Sequence, residues 1–149
     1  MRDMTSNLNK RVLVVLAAVL IVLIAYRYLV SGNDLTRISV GGKEVYVELA
    51  ASEEKRNLGL QFRTYLEEDH GMLFIFPTEG RHAFWMKDTH IPLSIAFIKE
   101  NGAITQIEEM EPDSLEHHTS REKVKYALEM EGGWFERNNV HAGDPVTIP

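Results

Sequence analysis

TRISVGGKEVYVEL, Thr36–Leu49, is the stretch on which the fold turns. Val45, Val47 and Leu49 alternate with Glu44, Tyr46 and Glu48, the two-residue period of a strand with one buried face. Gly41-Gly42 separates this run from Thr36–Val40 and accepts the positive φ values of a tight hairpin. The same punctuation continues downstream. Ser52 can cap a short helix from Glu53, with Glu53 and Glu54 in its favourable first turn and Leu58 and Phe62 at i and i+4 on one face. Met72–Phe76 is a continuous apolar run between Gly71 and Pro77, the pattern of a fully buried strand. His82–Met86 and Leu93–Ile98 follow as strands, and Asn101-Gly102 turns the second into Ala103–Met110. Glu111–Glu122 is polar and reads as a loop. Val124, Tyr126, Leu128 and Met130 then alternate cleanly until Gly132-Gly133, and Pro145–Ile148 closes the chain. The expected fold is mainly β (β-rich α+β): a small antiparallel barrel or sandwich of about eight short strands with one short helix.

Upstream the pattern changes. VLVVLAAVLIVLIA, Val12–Ala25, has no polar side-chain atom, and Tyr26, Arg27, Tyr28, Leu29 and Val30 extend it. As a helix, residues 12–30 span about 28 Å, close to the roughly 30 Å hydrocarbon core of a bilayer. Arg27 would snorkel at the far end beside the two tyrosines. Lys10 and Arg11 flank the near end, so the positive-inside rule places residues 1–11 in the cytoplasm. This divides the chain into a cytoplasmic N-terminus (1–11), a transmembrane anchor or signal-peptide core (12–30), a linker (31–35) and an extracytoplasmic β domain (36–149). The expected location is the cytoplasmic membrane, single-pass, with the β domain periplasmic or extracellular. Secretion after cleavage near Gly32 is the alternative, because Val30-Ser31-Gly32 offers small residues for cleavage. A buried core helix would need a larger protein wrapped around it.

Composition supports the division. The 149 residues carry a formal net charge of −6, which hides an asymmetry. Residues 1–30 hold four basic and one acidic side chain, net +3, whereas residues 31–149 hold 12 basic and 21 acidic, net −9. A domain of net −9 lacks the phosphate-neutralising charge of a nucleic-acid binder. The absence of cysteine excludes disulfides, thiolate nucleophiles and cysteine zinc sites, so an exported domain must rely on packing alone.

The densest chemistry is GRHAFWMKDTHIPLSIAFI, Gly80–Ile98. His82, Asp88 and His90 invite a metal reading, but His82 and His90 lie about 26 Å apart on a straight strand. Only Asp88 and His90 can share an ion, with a third ligand such as His70, His118 or Glu129 brought from elsewhere. Solvated or hydrogen-bonded loop residues explain the cluster more simply, and no metal is expected. Thr89 as a nucleophile lacks a base, because adjacent His90 points to the opposite face; a local backbone-capping role is the plainer one. Trp85 suits either a core edge or a ligand platform, since its indole buries a large surface yet needs a partner for one N–H. Arg63 and Glu129 sit beside core pattern, where an unpaired charge is costly, so each is expected to have a mutual or nearby partner. His117-His118 reads as a solvated loop pair.

Four ordered blocks carry a resemblance: GLQFRTYLEEDHGMLFIF (Gly59–Phe76), FWMKDTHIPLSIAFI (Phe84–Ile98), ALEMEGG (Ala127–Gly133) and GDPV (Gly143–Val146). Together they resemble the bacterial and archaeal domain of unknown function 192, over about Val45–Ile148. The resemblance implies a compact, mainly antiparallel β domain, often exported or anchored, with no established activity. Its pattern carries over at Arg63, Gly71, Trp85, Lys87, Thr89 and Glu129. It departs at Gln61, Asp88, Ser94 and Lys99, where methionine, asparagine, aspartate and aspartate are usual.

The functional expectation is a membrane-tethered domain binding a small polar ligand in a pocket lined by the Phe84–Thr89 segment. The ligand-contacting residues would be Arg63, Trp85, Lys87, Asp88, Thr89 and Glu129. No cofactor is expected, and no motif assigns a catalytic residue. The partners implied are the membrane, through residues 12–30, and an unknown small molecule or envelope protein. The alternatives are a protein-interaction or envelope structural module, or a hydrolase.

Overall fold

The computed structural model describes residues 12–23 and 35–148. The chain divides into two units, Met1–Asn33 and Asp34–Pro149. In the first, residues 12–23 form a helix (α1) with exposed side chains; residues 24–30 of the expected span lie outside the described residues. Among the described residues, no helix is long and apolar enough to cross a membrane.

The second unit is mainly β. Its strands are β1 (Leu35–Val40), β2 (Lys43–Ala50), β3 (His70–Gly80), β4 (Ala83–Phe84), β5 (Leu93–Ile98), β6 (Ile104–Met110), β7 (His118–Thr119), β8 (Val124–Glu131) and β9 (Val146–Thr147). Two short helices, α2 (Glu53–Leu58) and α3 (Trp134–Arg137), interrupt them. Seven strands form one curled sheet in the order β6-β5-β8-β3-β2-β1-β9, and β4 pairs with β7 in a separate ribbon. The two edges of the large sheet meet near the C-terminus. Val146 N donates to the Gly102 carbonyl at 2.8 Å and Ile104 N to the Asp144 carbonyl at 3.1 Å, while β9 pairs with β1 on its other side. The result is a half-barrel whose edge strands are partly paired rather than left open.

Alternation places two apolar sets on opposite faces of this sheet. Val45, Val47, Leu73, Ala96, Ile98, Leu128 and Met130 point to one face and pack against Trp134 and Phe135 of α3. Met72, Phe74, Ile95, Phe97 and Ala127 point to the other, where Leu60, Met86 and Ile91 cover them from the long connections. Two-sided cover explains why every residue of LSIAFI in β5 is buried.

Several expectations are corrected. β2 and β3 pair in parallel, because the connection through α2 returns the chain to the same end of the sheet. β3 runs past Pro77 to Gly80, with an irregular register between Ile75 and Gly80 that spares the proline a ladder bond. The expected His82–Met86 strand shrinks to Ala83–Phe84, and the loop before β8 contains its partner His118–Thr119. Ser52 does cap α2, its Oγ accepting from Lys55 N at 3.2 Å. The helix nevertheless stops at Gly59, which takes φ +51°. Leu58 and Phe62 therefore never share a buried face; both are exposed, and Phe62 itself has φ 64°.

Gly71 lies in β3 directly against β8, where an added Cβ would collide with the Glu129 carbonyl oxygen and Met130 Sδ. Gly71→Ala is expected to cost about 3 kcal/mol, as overpacking against backbone does, with a matching fall in the urea midpoint. An unchanged midpoint would contradict this packing.

Candidate functional site

The cover over the second face leaves a cavity of about 430 Å³, within the range of small-molecule sites. Its walls come from four parts of the chain. Arg56, Asn57 and Leu58 belong to α2, Phe74 and Phe76 to β3, Phe84 to β4, and Trp85, Lys87 and Thr89 to the residues that follow it; Glu129 of β8 lies among them.

The Phe84–Thr89 segment is held mainly by backbone bonds. Met86 N donates to the Ser114 carbonyl at 3.0 Å, Thr89 N to the Met86 carbonyl at 3.1 Å, and Asp113 N to the Thr89 carbonyl at 3.0 Å. Met86 is buried in the core, which turns its neighbours Trp85 and Lys87 outward. Trp85 is 46% exposed, packs beside His117 at 5.7 Å and has Lys87 Nζ 5.6 Å from its ring centre. Phe84 packs edge-on against Phe74 and Phe97, at 4.9 and 5.8 Å.

Glu129 is set by register. It lies between Met72 of β3 and Ile95 of β5, so its side chain points to the same face as these two apolar residues. It is 5% exposed and makes no side-chain hydrogen bond among the described residues. Burial pushes its carboxyl up to about 8, so near neutrality it is mostly protonated. A protonated carboxyl both donates and accepts a hydrogen bond.

Arg56 is the cavity's second cation. Its guanidinium donates to the Ala51 carbonyl and, at 3.0 Å, to the Ile75 carbonyl, and it lies 5.7 Å from the Phe76 ring centre. His82 stacks flat on Phe76, 3.4 Å between centres, and burial lowers its pKa.

Of the residues expected at the site, Trp85, Lys87, Thr89 and Glu129 line the cavity. Arg63 and Asp88 do not. Arg63 forms a two-pronged pair with Glu48 of β2, Nη1–Oε1 2.7 Å and Nη2–Oε2 2.8 Å, so its partner is not Glu129. Asp88 takes φ 54°, and its carbonyl accepts from Phe62 N at 2.8 Å. The Thr89 hydroxyl donates to the Lys87 carbonyl at 3.3 Å, the local contact its type favours. No group of three or more His, Cys, Asp or Glu converges as metal ligands among the described residues, and His90 pairs with Asp113 at 2.8 Å. His118 is not solvated as expected but pairs with Glu108 at 2.8 Å. The buried core tryptophan is Trp134, whose Nε1 donates to Asp69 at 2.8 Å.

Phe84 lines the cavity as the first residue of the expected Phe84–Thr89 segment, whereas Arg56, Phe74 and Phe76 are not singled out by the sequence. The one signal for Arg56 is that α2 has no apolar face of its own, which leaves its basic residues needing another role. Phe74 and Phe76 read as ordinary core.

Raising the pKa of a folded-state carboxyl means the folded domain holds the proton more tightly than the unfolded chain. Stability from this group therefore falls as pH rises from about 4.5 to about 8, by about 1.4 kcal/mol per pH unit at most. Glu129→Gln is expected to raise the melting temperature more at pH 8 than at pH 5; an equal change at both would refute the assignment.

No curated protein matches the chain. Among solved structures it is similar to a Sinorhizobium meliloti 1021 protein proposed as a transcription regulator, at 37% identity and TM-score 0.70, covering 74% of this chain and 88% of that one. It is also similar to a Novosphingobium aromaticivorans DSM 12444 protein of unknown function, at 29% identity and TM-score 0.76, covering 80% and 89%. The profile of DUF192, described as an uncharacterized ACR, matches residues 36–148. The chain therefore belongs to the DUF192 family.

Proposed function

We propose that this protein is a membrane-tethered, extracytoplasmic β domain that binds a small polar ligand in the cavity over Glu129. One observation carries the reading. Glu129, a residue only 5% exposed and without a side-chain hydrogen bond among the described residues, lines an aromatic-walled cavity. A neutral carboxyl facing such a cavity offers one donor and further acceptors that a ligand's polar atoms can engage. The tether rests on the apolar run Val12–Ala25, the flanking Lys10 and Arg11, and the helical conformation of residues 12–23. The role of transcription regulator, proposed for the S. meliloti relative, gains no support here as direct nucleic-acid binding from a domain of net −9.

A second reading, docking of an envelope protein, is favoured by one feature. Leu58 and Trp85 line the cavity while 52% and 46% exposed, and Phe62, bonded through its N–H to the Asp88 carbonyl, is 65% exposed.

Two measurements test the proposal. The full chain should stay in the membrane pellet after an alkaline wash, and protease added outside spheroplasts should degrade the β domain. A soluble or protected domain would overturn the tether. In a thermal-shift screen of small polar metabolites, at least one compound should raise the melting temperature, and Trp85→Ala should keep the fold while diminishing that shift. No shift by any compound would overturn the ligand reading.

A further inference from the structure

We propose that the ligand of this cavity is a small organic anion with a flat apolar body, its charged group held by Arg56 and Lys87 and its body set against the phenylalanines and Trp85. The inference deepens the reading of the cavity as a ligand site and rests on it. Three observations carry it.

The first is charge. Residues 31–149 have a net charge of −9, yet the ionisable residues lining this cavity are Arg56, Lys87 and Glu129. With Glu129 neutral, the lining carries two positive charges and no negative one. A strongly acidic domain thus turns a locally cationic surface toward its cavity, which favours an anion and repels a cation.

The second is the state of the aromatic faces. Arg56 lies over Phe76 and Lys87 over Trp85, at 5.7 and 5.6 Å from the ring centres. Rings and a carboxyl in one cavity would ordinarily suggest an ammonium ligand. Here the protein's own cations already occupy two of those faces, and an incoming ammonium would meet their repulsion. A planar apolar body can still use the exposed indole and the ring edges.

The third is the surroundings of Glu129. On the same face β3 presents Met72 between His70 and Phe74, and β5 presents Ile95 between Leu93 and Phe97. His70 is paired with Glu67, and Glu48, beyond Met72 on β2, is paired with Arg63. The charged groups lining the cavity are Arg56 from α2 and Lys87 from the Phe84–Thr89 segment. His82, stacked on Phe76, has its pKa lowered by burial and adds no charge near neutrality. The protonated carboxyl can donate to a carbonyl or hydroxyl oxygen of the ligand without opposing its charge. A volume of about 430 Å³ accommodates a one- or two-ring compound.

The test uses the full-length chain in detergent micelles, with empty micelles as the blank. Calorimetric titration compares 2-naphthoate, 2-naphthyl phosphate, neutral 2-naphthamide and cationic 2-naphthylmethylamine, four probes sharing one ring system. The two anions should bind at least about tenfold more tightly than the amide and the amine. The tighter of the two identifies the headgroup as carboxylate or phosphate. Lys87→Gln, at an exposed position, should weaken anion binding about threefold to fivefold. Affinity for 2-naphthoate should fall between pH 7 and pH 9 as Glu129 ionises, and Glu129→Gln should abolish that fall. If the amine or amide binds as tightly as the anions, the anion class is wrong and the cavity reading stands. If none of the four binds and no metabolite shifts the melting temperature, the cavity reading itself fails.

Discussion

Strand β8 lies between β3 and β5 with apolar side chains on both of its faces, and that two-sided burial constrains the rest of the domain. One face is closed within the half-barrel by α3 and by the C-terminal residues that join β1 to the start of β6. The other must be covered by chain that belongs to no large sheet. The connections 51–69 and 81–92 supply that cover through Leu60, Met86 and Ile91. They are held mainly by backbone hydrogen bonds and by the Arg63–Glu48 pair rather than by a long amphipathic helix. Such a cover meets the sheet unevenly, and the cavity is the space it leaves.

Glu129 turns this geometry into chemistry. An apolar residue at that register would let the cover pack as ordinary core, because Met72 and Ile95 on either side are core residues. The carboxyl instead stays neutral through burial and keeps its hydrogen-bonding capacity unspent. Polar groups that break a local packing rule concentrate at functional sites, since the fold gains nothing from them. Phe62 and Asp88 add a related signature. Both adopt positive φ, and they are joined by the hydrogen bond that ties the α2 connection to the Phe84–Thr89 segment.

How far the sequence reached can be judged from particular residues. The Thr36–Leu49 hairpin, the buried run at Met72–Phe76 and the alternation from Val124 to Met130 rest on two-residue periodicity, which is a local property and therefore legible. Ser52 and Gly59 bound α2 by local capping chemistry, though the apolar pair Leu58 and Phe62 suggested a longer helix than Gly59 allows. Arg63 and Glu129 show the limit. Both are charged residues beside core pattern, and nothing local separates them. One is satisfied by Glu48, fifteen positions away, and the other by no side chain among the described residues.

The sequence by itself determined the mainly β character, the positions of most strands, the family and the concentration of chemistry between Phe84 and Thr89. Each follows from short-range pattern: alternation, turn residues and runs of residue types. Tertiary structure alone decided the parallel pairing of β2 with β3, the recruitment of Arg56, Phe74 and Phe76 to the cavity, and the separation of Arg63 from Glu129. These depend on which distant segments are brought into register. Glu129 sits among apolar neighbours because β3 and β5 flank β8 with Met72 and Ile95 beside it, and no spacing along the chain encodes that arrangement.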